Sequence, residues 1–274
     1  EVAPKGLYSE YKIEGRSTNY NVTLRQVLIE DQAFRTNAML GFDIKDSITK
    51  DTNGTRRKDK IRVLRPGFNF TEYDPLGTTF FTNTLSFGIN GLGATTKANG
   101  DAGRLGAMPD FTKYGIEAER TFTMPWETEL DLKLGLQFAG NRLLPQEQYA
   151  LGGMDSVRGY PEADYLADHA FRLNCEYRMP FFIVPKDLKL PKSDIPIRKQ
   201  LQMVAFFDDA YGCLKGSLTD WEVRERNLVG IGGGLRMQLY KYIYARVEFA
   251  GAVGDRPLTE KDKIRLHFKI SANF

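Results

Sequence analysis

Apolar and polar residues alternate with a period of two along most of the chain. The pattern is complete at the C-terminus. Ile264, Leu266, Phe268, Ile270, Ala272 and Phe274 fall on one side, and Lys263, Arg265, His267, Lys269, Ser271 and Asn273 fall on the other. A helix would scatter these residues around its axis, whereas a strand separates them onto two faces. Leu130 to Phe138, Phe171 to Met179, Val229 to Leu239 and Ile243 to Phe249 repeat the alternation, and weaker copies lie near 5–15, 19–29, 34–46, 58–73, 78–90 and 111–123. With 199–212 this predicts about twelve strands, each at or above the ~9–11 residues that cross a bilayer. No linker or break in composition divides residues 1–274, so a single domain is expected.

An alternating strand has an apolar face that meets either a second sheet or lipid. The connections decide between them. Segments 30–33, 74–77, 124–126 and 240–241 are short, whereas 47–57, 91–109, 141–163, 213–221 and 251–262 are long. A soluble sandwich has no reason to sort connections by parity, but outer-membrane barrels have short turns at one rim and long loops at the other. The proline-rich stretch 181–197 is the exception on the short side. The expectation is an all-β, transmembrane, antiparallel up-and-down barrel of about twelve strands in a bacterial outer membrane, with lipid as its surroundings.

Composition narrows the alternatives. Mean hydropathy is −0.40 and no stretch approaches the ~20 apolar residues of a membrane helix. Eighteen Phe and 13 Tyr are too many aromatics for a disordered chain, and a net charge of +3 gives no basic surface for nucleic acid. The N-terminal Glu1-Val-Ala-Pro-Lys-Gly has no signal-peptide core, so an exported protein is expected here in mature or truncated form. Cys175 and Cys213 are expected to be free thiols: pairing Cys175 near residue 203 leaves Cys213 about 30 Å away along the strand. The two histidines, His169 and His267, lie on different strands with no nucleophile pattern around them, so neither catalytic nor metal-ligating residues are assigned and no cofactor is expected. Gly230-Ile-Gly-Gly-Gly234 lies mid-strand with no helix after it, which excludes a phosphate loop.

The longest loop contains Leu151-Gly-Gly-Met-Asp-Ser-Val-Arg-Gly-Tyr160, and the 199–212 strand contains Phe206-Phe-Asp-Asp-Ala-Tyr-Gly212. These resemble the two signatures of the Omp85 superfamily, a [Val/Ile]-Arg-Gly-[Phe/Tyr] loop motif and a Phe-x-Asp-x-Gly strand motif. The resemblance also takes in the terminal Phe274. It departs at Ala210, where the family usually has glycine. It covers the C-terminal half closely and the first 120 residues only by pattern. The family's barrel has about sixteen strands behind soluble POTRA domains, and this chain has no POTRA-like segment. It is therefore either the C-terminal part of a sixteen-stranded barrel or a smaller relative.

The residues suggest how the two motifs meet. On the 199–212 strand, Leu201, Met203, Ala205 and Phe207 take the lipid face, which puts Val204, Phe206, Asp208 and Ala210 in the lumen. Glu176 is luminal on the preceding strand. A loop folded into the lumen can place Arg158 against both carboxylates, with Val157, Gly159 and Tyr160 completing the motif and Tyr160 packing on Phe206; Gly230, Gly232 and Gly234 leave room on the facing wall. A carboxylate confined without a partner is costly, and Arg relieves that cost. The resemblance implies protein translocation or insertion at the outer membrane, with 141–163 as gate or brace. It leans toward two-partner-secretion transporters of the haemolysin-activator kind or D15-type surface-antigen barrels. Its implied partners are the barrel-assembly machinery and an unfolded secreted or outer-membrane protein. Phe274 and Phe268 are assigned as the C-terminal insertion signal. The alternative is a structural or passive diffusion barrel.

Overall fold

A computed structural model describes residues 14–50, 56–95, 103–185, 187–189, 195–216, 219–220, 222–239, 242–258, 260 and 262–272. The strands are β1 (Glu14–Glu30), β2 (Phe34–Lys50), β3 (Arg56–Asp74), β4 (Gly77–Gly88), β5 (Thr112–Met124), β6 (Thr128–Ala139), β7 (Tyr149–Leu151), β8 (Tyr165–Ala167), β9 (His169–Pro180), β10 (Leu201–Cys213), β11 (Glu225–Leu239), β12 (Ile243–Ala252) and β13 (Ile264–Ala272). Eleven of them form one antiparallel meander in the order β1-β2-β3-β4-β5-β6-β9-β10-β11-β12-β13. The short β7 and β8 pair with each other inside the long connection between β6 and β9. Among the described residues β1 and β13 are the free edges.

The fold class is that of the sequence reading, with eleven strands in the sheet. The expected strands near 5–15 and 19–29 leave a gap at 16–18, but Arg16, Ser17 and Thr18 continue β1 and pair with Ile48, Ser47 and Asp46 of β2. The reason is length. Seventeen residues of β1 at about 3.3 Å each extend well past a ~30 Å hydrocarbon layer even when tilted, so the outer end of the strand needs no apolar alternation. The remainder of the expected 5–15 strand lies outside the described residues.

Outward and inward faces separate as the alternation requires. On β13, Ile264 and Phe268 are 75% and 72% exposed and point outward, while His267 faces inward and is buried. On β10, Phe207 and Tyr211 face out, and Val204, Phe206, Asp208 and Ala210 are buried inside. A water-facing sheet cannot leave this many large apolar side chains uncovered, whereas a lipid-facing one must. Trp126, 81% exposed, stands on the short turn between β5 and β6, at the rim where barrels carry interfacial aromatics. Phe268 is on the outward face; Phe274 lies outside the described residues.

The β9–β10 register differs from the expected one. Cys175 pairs with Phe207, four residues beyond position 203, because Ile197–Gln200 forms a helical turn and delays the start of β10 to Leu201. Cys213 pairs with His169, and both cysteines are free.

The outward assignment can be tested by depth. Leu134, in the middle of β6, should tolerate arginine poorly: Leu134→Arg should destabilise the folded barrel by about 2–4 kcal/mol. Inward-facing Lys133, which pairs with Glu119 at 2.8 Å, should accept arginine at little cost. Denaturant titration of the refolded protein in lipid vesicles measures both. Equal costs would shift the register of β6 by one residue.

Candidate functional site

The connection from β6 to β9, residues 140–168, folds into the concave face of the sheet and touches opposite walls. It is longer than the expected 141–163 because the β7–β8 hairpin belongs to it. Its tip lies against β9 to β13. Asp208 is fully buried and accepts four hydrogen bonds: from the Arg158 backbone N–H (3.0 Å), Nε (2.8 Å) and Nη2 (2.8 Å), and from Asn174 Nδ2 (2.8 Å). Arg158 Nη1 reaches Glu176 at 2.7 Å and Glu248 at 3.4 Å. Its guanidinium carbon lies 3.4 Å from the centre of the Phe206 ring. A bidentate fork on one carboxylate and a cation over an aromatic face are geometries that lysine cannot reproduce.

Two glycines allow this approach. Gly159 has φ +93°, and a Cβ there would lie 2.9 Å from the Ala252 nitrogen. Its own N–H donates to His267 Nε2 at 3.2 Å. On β11, a Cβ at Gly230 would lie 2.0 Å from the Arg158 carbonyl oxygen. Both positions need the absence of a side chain so that two backbones can meet. The alanine at 210 fits for a related reason: its methyl is buried in an apolar cluster with Leu151, Val157, Tyr160 and Leu228. The close approach falls two residues later, at Gly212, where a Cβ would meet Ala167 and Leu151 at 2.8 Å.

The structure therefore brings Arg158, Asp208, Glu176 and Phe206 together and places Val157 and Tyr160 elsewhere. Tyr160 does not pack on Phe206, whose ring is taken by the guanidinium. It sits in the apolar cluster, and its hydroxyl donates to the Asp255 carbonyl at 2.8 Å. The sequence reading missed Glu248, Arg236 and Arg178. Arg236 Nη2 bridges Glu176 (2.6 Å) and Glu248 (3.0 Å), and Arg178 bridges Glu176 (2.7 Å) and Asp131 (2.8 Å). All lie on inward strand positions. What the alternation could not supply is which inward residues are neighbours across strands.

A second charged cluster ties the long loops together at the outer rim. Asp168, fully buried, accepts from Arg104 Nη1 (2.7 Å) and from the backbone N–H groups of Leu143 (3.1 Å) and Lys215 (2.8 Å). Arg104 Nε also donates to Glu222 at 2.9 Å, and Arg142 pairs with the same carboxylate. Burial alone would raise the Glu222 pKa, but the Arg104 hydrogen bond, the Thr219 N–H and Arg142 outweigh it and hold the carboxyl at about 2. A depressed carboxyl stabilises the folded form above its ordinary value of 4.5, and this contribution is lost as the pH falls toward 2.

Below the loop tip a cavity of about 430 Å³ remains, lined by Glu117, Asp131, Lys133, Arg158, Glu176 and Arg236 among others. Its lining carries charges of both signs, and the cavity is partly open to solvent. Among the described residues no group of three or more His, Cys, Asp or Glu side chains is arranged to hold a metal ion.

The pairing at the tip makes a directional prediction. Among the described residues Arg158 is the cation paired with Asp208, and it also meets Glu176 and Glu248. Arg158→Ala strands the buried Asp208 carboxylate without a cation and should destabilise by about 3–5 kcal/mol, the cost of breaking a buried pair. Asp208→Ala leaves Arg158 its two other carboxylates and should cost less. The double variant should fall short of the sum by about 1–3 kcal/mol, because both changes remove one contact. Urea titrations measure the cycle, and strict additivity would reject the shared contact.

Solved structures with similar architecture include CdiB from Escherichia coli (TM-score 0.75, 18% identity, covering 96% of this chain and 46% of that one) and CdiB from Acinetobacter baumannii (0.67, 17%, 98% and 45%). BamA from Haemophilus ducreyi lacking POTRA domains 1–3 is also similar (0.63, 12%, 94% and 55%). The chain thus spans about half the length of these structures, and at such identities the likeness speaks for the fold. No curated protein matches the sequence significantly. The family model described as haemolysin secretion/activation protein ShlB/FhaC/HecB matches residues 2–237. With most of its length matched, loop motif and β10 motif included, the chain belongs to the ShlB/FhaC/HecB family of haemolysin secretion and activation proteins.

Proposed function

We propose that this chain is a barrel domain of an outer-membrane protein-secretion channel of Omp85 type, in which loop 140–168 is the internal gate. The observation that carries this reading is the locked loop tip: Arg158, buried in the lumen, is held by Asp208, Glu176 and Glu248 on three different strands. A brace for the barrel alone could sit on one wall. This one crosses the interior and leaves only the cavity below its tip, so a polypeptide passes when the loop moves and not otherwise. Membership of a family named for haemolysin secretion supports a secreted protein as substrate. The work is transport of an unfolded chain and needs no reacting group.

The surroundings follow from the faces. Lipid covers the outward apolar side, and the barrel-assembly machinery is the partner that inserts it. Phe268 and the other outward residues of β13, with Phe274 beyond them, act as the insertion signal, because they offer that machinery an edge strand with a continuous lipid-compatible face. A passive diffusion barrel is the weaker reading, since nothing about passive flow calls for a buried ionic lock across the pore.

Comparing the proteins released by cells with and without the full-length protein tests this function. One exported protein should vanish from the medium and accumulate in the periplasm when the channel is absent, and reappear outside on complementation. An unchanged set of released proteins, with only small-solute permeability altered, would support the diffusion barrel instead.

A further inference from the structure

The second wall of the lumen carries an ion cluster of opposite polarity. Glu147, 1% exposed, lies eleven residues before Arg158 in the same loop. Lys45 on β2 donates to its carboxylate at 2.8 Å, Arg65 on β3 at 2.6 Å, and Lys113 on β5 lies 2.8 Å from its other oxygen. Lys113 also donates to the Glu147 carbonyl at 2.9 Å. Arg65 is held in turn by Asp43 (2.6 Å) and Ser86 (2.6 Å). The wall thus offers three cations and one carboxylate, and the loop supplies the missing anion. At the tip the relation is reversed, with an acidic wall and a cation on the loop. An apolar contact accompanies each: Leu143 and Leu144 are buried against Ile61, Val63 and Phe111, and Val157 and Tyr160 are buried against Ala210, Leu228 and Ala252.

We infer that Glu147 is a second anchor of the gate, so that loop 140–168 is a crossbar fixed to both walls and the pore clears only when both ends are released. Glu147 is a positioning residue: it holds the loop and touches nothing that passes. The inference rests on reading the loop as a gate. Its physical basis is that withdrawing Glu147 leaves three close cations facing one another in a confined space, which opposes release, as stranding the carboxylates does at the tip. The closed anchors are buried contacts of 2.6–2.8 Å that salt screens little. Release exposes their ions to solvent, where salt stabilises the separated charges, so opening should rise with ionic strength.

Conductance of the full-length protein in planar bilayers tests this, with folding of each variant checked by heat-modifiable mobility. Glu147→Gln should raise the occupancy of the large-conductance state roughly tenfold, the scale of one lost charge-assisted hydrogen bond. Arg158→Ala should do likewise, and the double variant should show the product of the two factors. Lys113→Gln should raise occupancy too, but add little on top of Glu147→Gln, since both remove one contact; it serves as the primary readout if Glu147→Gln does not assemble. Opening of the wild type should rise more steeply with KCl than opening of Glu147→Gln, a signature that loss of packing alone would not give. Wild-type conductance in Glu147→Gln or Lys113→Gln, beside an open Arg158→Ala, would overturn the second anchor and leave the gate standing. Wild-type conductance in all of them would overturn the gate reading itself.

Discussion

A guanidinium taken out of water must be surrounded by acceptors, and the architecture of this protein follows from how Arg158 meets that demand. No single strand can provide enough carboxylate. The side chain draws on Glu176 of β9, Asp208 of β10 and Glu248 of β12, which requires these strands to curve around a common point and their inward positions to be in register. It also requires the loop backbone to come within contact of β11 and β12, and that fixes Gly159 and Gly230 as positions without side chains. The sheet, its curvature and the path of the loop thus meet at one ion.

The same constraint separates the two faces of the sheet. Outward residues need only be apolar, and they are interchangeable in kind: Phe207, Ile231 and Phe249 do the same work in lipid. Inward residues are individual. At the tip the carboxylates are shared among arginines: Glu176 meets Arg158, Arg178 and Arg236, and Glu248 meets Arg158 and Arg236. Charge in a narrow lumen is strongly coupled, so the barrel interior is electrostatically rigid while the exterior is chemically permissive.

This contrast also explains what could be read from sequence. The alternation on β10 and β13 exposes the sheet faces directly, because a strand between an apolar and a polar surrounding repeats every two residues. The sorting of connections by length points to lipid on the apolar side. The meeting of Arg158 with Asp208 was legible because each lies in a short recognisable motif. Glu248 was visibly inward on β12, but its distance from Glu176 depends on register across four strands, which a single sequence does not encode locally. The helical turn at Ile197–Gln200 illustrates the difficulty: four residues in a connection moved the Cys175 pairing from 203 to 207. Glu147 lay beyond reach altogether, since it sits in a 3₁₀ turn with no periodicity and its three cations come from strands far away in the chain.

The central claim is that the loop fills the lumen at rest and must leave it for a polypeptide to pass. Asp155 at the loop tip pairs with Arg246 on β12, so the two positions suit a reversible tether. In the full-length protein with Cys175 and Cys213 replaced by serine, cysteines at 155 and 246 can be joined by a short, reducible bifunctional reagent. The account predicts that joining them stops release of the exported protein and that reduction restores it within the same cells. Release continuing at the untethered rate with the loop fixed to the wall would contradict it.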